Sequence, residues 1–204
     1  PRGRGCKYAL DDVMMSALAM FVLKYPSLLQ FEDQTQSERA NLHRIFGIKN
    51  ICSDAQMRSI LDQINPDLIR GLYPQYFALL RRTGIVKEYI QWNKQMVVSV
   101  DGVEHFHSSK IHCPYCQQKH HSNVELSYSH SMLAAVLVLQ DHREVFPLGC
   151  ENITRQDGSN KNDGEHAAAG RLLNWMIEHY GDQNLLLVQD ALFANAPYLG
   201  RILD

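Results

Sequence analysis

At Met96 the spacing of apolar residues changes, and this change constrains the fold of the 204-residue chain more than any other feature. Before that point apolar side chains recur at intervals of three and four residues, which is typical of amphipathic helices. From Met96 onward, short β-branched and apolar runs such as VVSV indicate buried strands. The pattern therefore predicts two domains, a helical domain at residues 1–95 and a sheet-containing domain at residues 96–204.

Four segments of the first domain have helical spacing: residues 10–25, 37–46, 53–64 and 66–84. Gly47 is placed to end the second helix, and Ser53 is placed to be the N-cap of the third. Pro66 suits the first turn of the fourth helix, in which Pro74 should cause a break or a kink. The first domain is therefore predicted to be a helical bundle.

The second domain alternates strand-like and helix-like segments. Apolar runs predict strands at residues 96–102, 130–139, 143–153 and 184–190, and an Ala-rich segment predicts a helix at residues 164–181. A Cys- and His-rich insertion at residues 110–130 separates the first two strands, and the short turn QDHRE predicts that the second and third pair antiparallel. With a final helix after residue 190 the order is β, β, β, α, β, α. The predicted class is α+β or α/β, a mixed sheet with flanking helices.

Composition limits the classes of function. Up to residue 96 the chain carries 13 basic and 9 acidic side chains, and after it 7 basic and 13 acidic ones, which indicates two units with different partners. The odd, sparse set of five Cys is not a disulfide framework and favours a reducing, cytoplasmic location. No apolar stretch approaches the ~20 residues that span a bilayer, so no membrane partner is expected.

Aspartates stand at the ends of two predicted strands, Asp101 after the first and Asp190 after the last. Carboxylates that converge at one edge of a sheet can hold Mg²⁺ or Mn²⁺ through hard oxygen ligands. Two such ions can activate a water or a 3′-hydroxyl and stabilise the leaving oxygen of a phosphodiester. The alternative is that each Asp only forms the turn at a strand end.

A second candidate metal site lies in the Cys- and His-rich insertion. Cys113 and Cys116 have the spacing of a zinc knuckle, in which both thiolates bind one Zn²⁺. His120 or His121 is a candidate third ligand, and His130 is a candidate fourth. A thioredoxin-like redox pair is less favoured, because the residues after the first Cys do not predict the helix that this motif requires. A segment without metal function is the remaining alternative.

Basic residues are candidate DNA contacts. Arg58, Arg81 and Arg82 lie on predicted helices, from which a helix-turn-helix could place cations on DNA phosphates. Lys161 lies in the polar loop before the Ala-rich helix and could contact a phosphate as well. The alternative is an ordinary solvated surface. The loop and the start of the following helix also carry four candidate ligands or bases: Asp157, Asp163, Glu165 and His166.

Five segments of the chain resemble the DDE-type transposases of bacterial insertion sequences, which belong to the cut-and-paste class. The similar segments are residues 11–32 (DDVMMSALAMFVLKYPSLLQFE), 51–70 (ICSDAQMRSILDQINPDLIR), 97–116 (VVSVDGVEHFHSSKIHCPYC), 156–173 (QDGSNKNDGEHAAAGRLL) and 188–197 (VQDALFANAP). They follow the same order as in that family and extend over nearly the whole chain.

The resemblance implies an incomplete ribonuclease H-like catalytic domain behind a helical domain for DNA binding and assembly. It makes Asp101 on the first strand and Asp190 on the fourth the two aspartates that bind catalytic Mg²⁺ or Mn²⁺. The implied activity is metal-dependent phosphodiester cleavage at the ends of the element, followed by strand transfer into target DNA. Double-stranded DNA and a second copy of the chain are the implied partners.

The third carboxylate of that family, a Glu on a late helix, has no counterpart in this sequence. The chain stops about one helix after Asp190, and Glu165 lies on the helix between the third and fourth strands, so it is not assigned to the triad. We therefore expect a C-terminally truncated, catalytically inactive transposase. Two other functions stay open: a non-catalytic, zinc-stabilised module that binds DNA or regulates a transposase, and a metal-dependent nuclease of the same fold.

Overall fold

The structure is a computed structural model that describes residues 8–120, 126–153, 164–193 and 198–200. Its contacts divide the chain into two units, residues 1–68 and residues 69–204. The sequence predicts the boundary at residue 95, whereas the helix and turns that precede Met96 share a core with the sheet. The spacing of apolar residues distinguishes helices from strands, but it does not tell which helices pack on a sheet.

The described part of unit 1 contains four helices: α1 (Leu10–Val22), α2 (Leu28–Thr35), α3 (Arg39–Phe46) and α4 (Asp54–Leu61). Helix α2 is absent from the sequence prediction. The helices share a core whose fully buried members include Val13, Phe31, Leu42, Cys52 and Met57. A short helix α5 (Asp67–Arg70) contains the boundary between the two units.

Capping explains where helices of unit 1 begin and end. The hydroxyl of Ser53 accepts a hydrogen bond from the backbone N–H of Gln56 at 3.4 Å, so the predicted N-cap of α4 is confirmed. Gly47 ends α3 with φ of +71°, a conformation that glycine adopts without steric cost. The two signals that the sequence supplied at these termini therefore act as predicted.

In unit 2 the helix predicted at residues 66–84 is two helices, and the break falls at Gly71. Helix α5 ends just before it, and α6 (Leu72–Thr83) begins just after it. Pro74 lies in the first turn of α6, where a backbone N–H would have no partner within the helix. The predicted break is therefore present, and it lies just before the turn that contains Pro74, because Pro74 has no N–H to donate to the carbonyl of Arg70 four residues earlier.

Five strands form one mixed sheet: β1 (Met96–Ser108), β2 (Gln117–His120), β3 (Leu126–Val138), β4 (Phe146–Ile153) and β5 (Leu185–Gln189). The order is β2–β3–β1–β5, and β4 also pairs with β3. The pairs that involve β3 are antiparallel, which confirms the predicted pairing of β3 with β4, and β5 runs parallel to β1. Strands β1 and β3 are longer than predicted, and β2 is an additional strand.

Helix α7 (Glu165–Tyr180) lies on one face of this sheet, together with α6. Burial alternates along β1, so Met96, Val98 and Val100 face the helices. Other members of this core are Phe77, Leu133, Leu137, Leu172, Met176 and Tyr180. The chain is thus an α+β protein with N-terminal helices, a five-stranded mixed sheet and a flanking helix. No helix in the described ranges is both long and apolar enough to cross a membrane.

Candidate functional site

Asp101 and Asp190 follow paired positions on neighbouring parallel strands. The β1–β5 ladder ends at the pair Val100 and Gln189, and the aspartates are the next residues on the two strands. Neighbouring strands lie about 4.8 Å apart, so the two residues lie side by side, Asp190 just after the end of β5 and Asp101 within β1. Strand β1 continues to Ser108 and pairs Asp101 with Ala134 of β3, so the sequence prediction that Asp101 ends its strand is wrong. Both residues are exposed. Because successive side chains of a strand point to opposite faces of the sheet, they are placed on the face opposite to the buried Val100.

Neither of these carboxylates has a basic side chain as an ion-pair partner within the described residues. Asp101 Oδ1 accepts the backbone N–H of Gly102 at 2.7 Å, and the backbone carbonyl of Asp190 accepts the N–H of Phe193 at 3.0 Å. Two like charges at adjacent positions repel each other, and a bound divalent cation would replace that repulsion by attraction. The oxygen donors suit a hard cation such as Mg²⁺ or Mn²⁺.

A third carboxylate, that of Glu165, lies against β1 one residue from Asp101. A Cβ atom on Gly102 would lie 3.0 Å from Glu165 Oε1, so the end of the Glu165 side chain lies close to the backbone of β1 at this residue. Glu165 belongs to the first turn of α7 and approaches from the helix-covered face. The sequence named Glu165 as a candidate ligand, but nothing in the spacing predicted its contact with the strand that carries Asp101.

Cys113, Cys116 and His130 form a cluster that could hold a metal ion such as zinc. The two Sγ atoms lie 3.7 Å apart, and each lies 3.3 Å from His130 Nε2. The backbone N–H of Cys113 donates to Cys116 Sγ at 3.2 Å, and the N–H of Cys116 donates to the carbonyl of Cys113 at 3.2 Å. The turn that connects β1 to β2 thus directs both sulfur atoms at one imidazole nitrogen.

The surroundings of the cluster favour the metal-binding form of the histidine. The imidazole of His130 stacks on that of His105, with centroids 5.9 Å apart, and contacts the ring of Phe106 at 5.7 Å. Burial, together with His105, lowers the pKa of His130, and the neutral imidazole is the form that binds metals. Burial raises the pKa of Cys116, a cost that a bound cation would offset by stabilising the thiolate.

Of the histidines proposed as ligands, the structure brings only His130 to the two cysteines within its described residues. His120 is exposed at the end of β2 and is not part of the cluster, so it is not the third ligand in this geometry. His121, Asp157, Asp163 and Lys161 lie outside the described residues.

The proposed DNA-contacting arginines are all exposed on helices. Arg58 on α4 lies 3.7 Å from Asp54, and Arg81 at the end of α6 lies 4.0 Å from Asp182. Exposed pairs of this kind are weak, so neither prevents a phosphate contact. Arg58 belongs to unit 1, whereas Arg81 and Arg82 belong to unit 2.

Comparison with known proteins gives no match, because no protein-family model fits the sequence and no curated protein or solved structure is significantly similar to it. The resemblance to transposases therefore stands on the five quoted segments alone.

Proposed function

We propose that this chain belongs to a DDE-type DNA transposase, which cleaves and joins phosphodiesters with Mg²⁺ or Mn²⁺. The observation that carries the proposal is the placement of Asp101 and Asp190 directly after the last paired residues of two neighbouring parallel strands. A single Asp at a strand end is commonly a turn former. Two at adjacent positions, both exposed and without a basic partner among the described residues, make a ligand pair for divalent cations.

The order of the strands supports this proposal. The strands β4, β3, β1 and β5 lie side by side in that order, with the first three antiparallel and β5 parallel to β1. Helix α7 connects β4 to β5 and packs on the sheet. The resemblance implies the chain order β, β, β, α, β, α, with the two aspartates on the first and fourth of those strands. Strands β1, β3 and β4, helix α7 and strand β5 follow one another in that order, with β2 as an additional strand.

In this proposal Asp101 and Asp190 hold the catalytic Mg²⁺ or Mn²⁺. When bound, such ions activate the attacking water or 3′-hydroxyl and stabilise charge on the leaving oxygen. The chain contributes two negative charges on neighbouring strands of a sheet, where the pairing of the strands sets their separation. We expect these two carboxylates to bind the metal and the chain to bind DNA.

The proposed partner is double-stranded DNA, with a second copy of the chain as the partner in assembly. Arg58, Arg81 and Arg82 are the proposed phosphate contacts, together with Lys161. Phosphate contacts by such cations release counterions, so affinity should fall as salt concentration rises. The acidic excess after residue 96 does not oppose this role, because a local group of cations is sufficient for phosphate contacts.

Fluorescence anisotropy of a labelled DNA duplex, measured with and without Mn²⁺ over a range of salt concentrations, tests this proposal. We expect binding that weakens with salt and strengthens with Mn²⁺, and we expect Asp101→Asn and Asp190→Asn to lose the Mn²⁺ effect alone. Asp141→Asn is the matched control, because Asp141 is an exposed turn residue with φ of +61°, which Asn tolerates. Mn²⁺ enhancement that survives in both Asp variants would contradict the proposal.

A non-catalytic, zinc-stabilised module is the second candidate function. The observation that favours it is the Cys113, Cys116 and His130 cluster, which needs no carboxylate chemistry. It predicts DNA or protein binding that is unaffected by Asp101→Asn and lost on removal of zinc. The anisotropy measurement therefore distinguishes the two candidates, because only the transposase reading requires the Asp residues for the Mn²⁺ effect.

A further inference from the structure

The sheet continues beyond the part that its helices cover. We call this extension the outer arm and define it as residues 103–120 and 126–130, which are the end of β1, the following turn, β2 and the start of β3. None of its described residues belongs to either hydrophobic core. Its buried side chains are Cys116 and Ser127, while apolar residues such as Ile111 and Tyr115 are 70% and 68% exposed.

A segment of this size cannot be ordered by its own apolar burial. Small structural units that lack a core depend on disulfides, metals or association. The outer arm has no disulfide, because the Sγ atoms of its two cysteines lie 3.7 Å apart and an S–S bond is about 2.05 Å long. A bound metal is the remaining cross-link that its own residues can supply.

We propose that Cys113, Cys116 and His130 bind one structural Zn²⁺, which fastens the β1–β2 turn to β3 and orders the outer arm. Two Zn–S bonds of about 2.3 Å at a tetrahedral angle place the sulfur atoms about 3.8 Å apart, and the observed separation is 3.7 Å. A Zn–N bond of about 2.0 Å at the same angle places nitrogen and sulfur about 3.5 Å apart, against 3.3 Å for both observed pairs. The three donor atoms thus have the separations of one tetrahedral site.

The backbone around the cluster has the features of a metal knuckle. The N–H of Cys113 donates to Cys116 Sγ, the kind of outer-shell hydrogen bond that stabilises a bound thiolate. His130 lies on β3 opposite Phe106 of β1, one residue beyond the Ser129–Gln117 pair with β2. A metal held at this point would join the β1–β2 turn to β3, the strand that pairs with both β1 and β2.

This zinc is separate from the proposed catalytic ions. His130 pairs across the sheet with Phe106, which lies five residues along β1 from Asp101, or roughly 15 Å at the rise of a strand. No single ion can bridge groups so far apart. The site is therefore separate from the transposase proposal and deepens the zinc-stabilised module, which rests on the same cluster, and its presence or absence does not depend on the role of the Asp residues.

Metal analysis of the full chain purified with Zn²⁺, combined with hydrogen exchange, tests this inference. We expect one zinc per chain, and loss of that zinc in Cys113→Ser, Cys116→Ser and His130→Gln. Cys150→Ser is the matched control, because Cys150 is another free cysteine, lies on β4 and hydrogen bonds to Tyr73. Zinc retained in either Cys variant, or absent from the wild-type protein, would overturn the assignment.

Hydrogen exchange separates a structural ion from an incidental one. Chelation of the wild-type protein should speed amide exchange in the outer arm by tenfold or more while α7 keeps its protection, and added Zn²⁺ should reverse the effect. Co²⁺ in place of Zn²⁺ should give the strong visible absorption of a tetrahedral thiolate site. Unchanged exchange after complete removal of zinc would overturn the structural role. Because this measurement uses the wild-type chain, it does not depend on the folding of any variant.

Discussion

Glu165 Oε1 lies 3.0 Å from the position that a Cβ atom on Gly102 would occupy. Gly102→Ala should therefore shift the end of the Glu165 side chain and lower the free energy of unfolding by at most about 1 kcal/mol. Denaturant unfolding of Gly102→Ala, Glu165→Ala and the double variant measures the coupling between the two positions. We expect the cost of the Ala at 102 to vanish when Glu165 is truncated.

Gly71→Ala serves as the control for that comparison. Gly71 has ordinary helical φ and ψ, and nothing lies within 4 Å of the added Cβ, so this variant should be as stable as the wild type or more stable. An equal cost of Gly102→Ala with and without the Glu165 side chain would show that the contact between the two residues is not what the substitution disturbs.

Glu151 joins two arginines in unit 2. Its carboxylate lies 2.8 Å from Arg70 and 2.6 Å from Arg171, and its side chain is only 11% exposed. Glu151→Ala removes the shared partner of two partly buried charges and should lower the free energy of unfolding by about 2–4 kcal/mol. Asp182→Ala removes the exposed partner of Arg81 and should change it by less than about 1 kcal/mol. Similar effects from the two substitutions, measured by urea unfolding, would contradict this assignment.

Tyr180 links α7 to β4 through its hydroxyl, which donates to the carbonyl of Leu148 at 2.7 Å. Burial raises the pKa of Tyr180, so the folded protein keeps the phenol neutral at a pH where the unfolded chain ionises it. Its contribution to stability is therefore complete below pH ~10 and is lost as the pH rises above that value. Tyr180→Phe should lower the free energy of unfolding by about 1–2 kcal/mol at pH 7. Between pH 9 and 11 the free energy of unfolding of the variant should fall less than that of the wild type, as measured by unfolding at each pH.

Much of the second unit could be predicted from sequence because its signals are local. β-Branched runs, the Ala-rich helix and the two aspartates were each identified from a few consecutive residues. The adjacency of β1 and β5, which places Asp101 beside Asp190, was expected only from the resemblance, because three strands and a helix separate the two strands in the chain. Cys113 and Cys116 were found by their spacing, and His130 was included because it begins an apolar run soon after them.

Other features depend on contacts between distant residues. In α1 the aromatic Phe21 is 72% exposed, whereas the small Ala19 is buried. The helix is turned so that Asp12, which is 4% exposed, accepts the backbone N–H groups of Lys49 and Asn50 at 2.8 and 3.1 Å. A carboxylate that accepts hydrogen bonds from a loop almost forty residues away produces no periodic pattern in the sequence. A buried Asp is also contrary to the usual distribution, in which Asp is exposed.

The position of Glu165 beside Gly102 is a second feature of this kind. It results from the packing of α7 on the sheet, which no spacing rule describes. The choice among the histidines is a third, because His120 and His130 have equal chemistry and differ only in how their strands are paired. Sequence patterns thus identified the candidate groups, and the tertiary contacts selected among them.

The central claim is that Asp101 and Asp190 form one cation site. Titration of the zinc-loaded chain with Mn²⁺, followed by the electron paramagnetic resonance signal of the free ion, tests it most directly. We expect Mn²⁺ binding that is lost in Asp101→Asn and in Asp190→Asn and retained in Asp141→Asn. Binding of equal strength in the wild type and in both Asp101→Asn and Asp190→Asn, or no binding by the wild type, would contradict it.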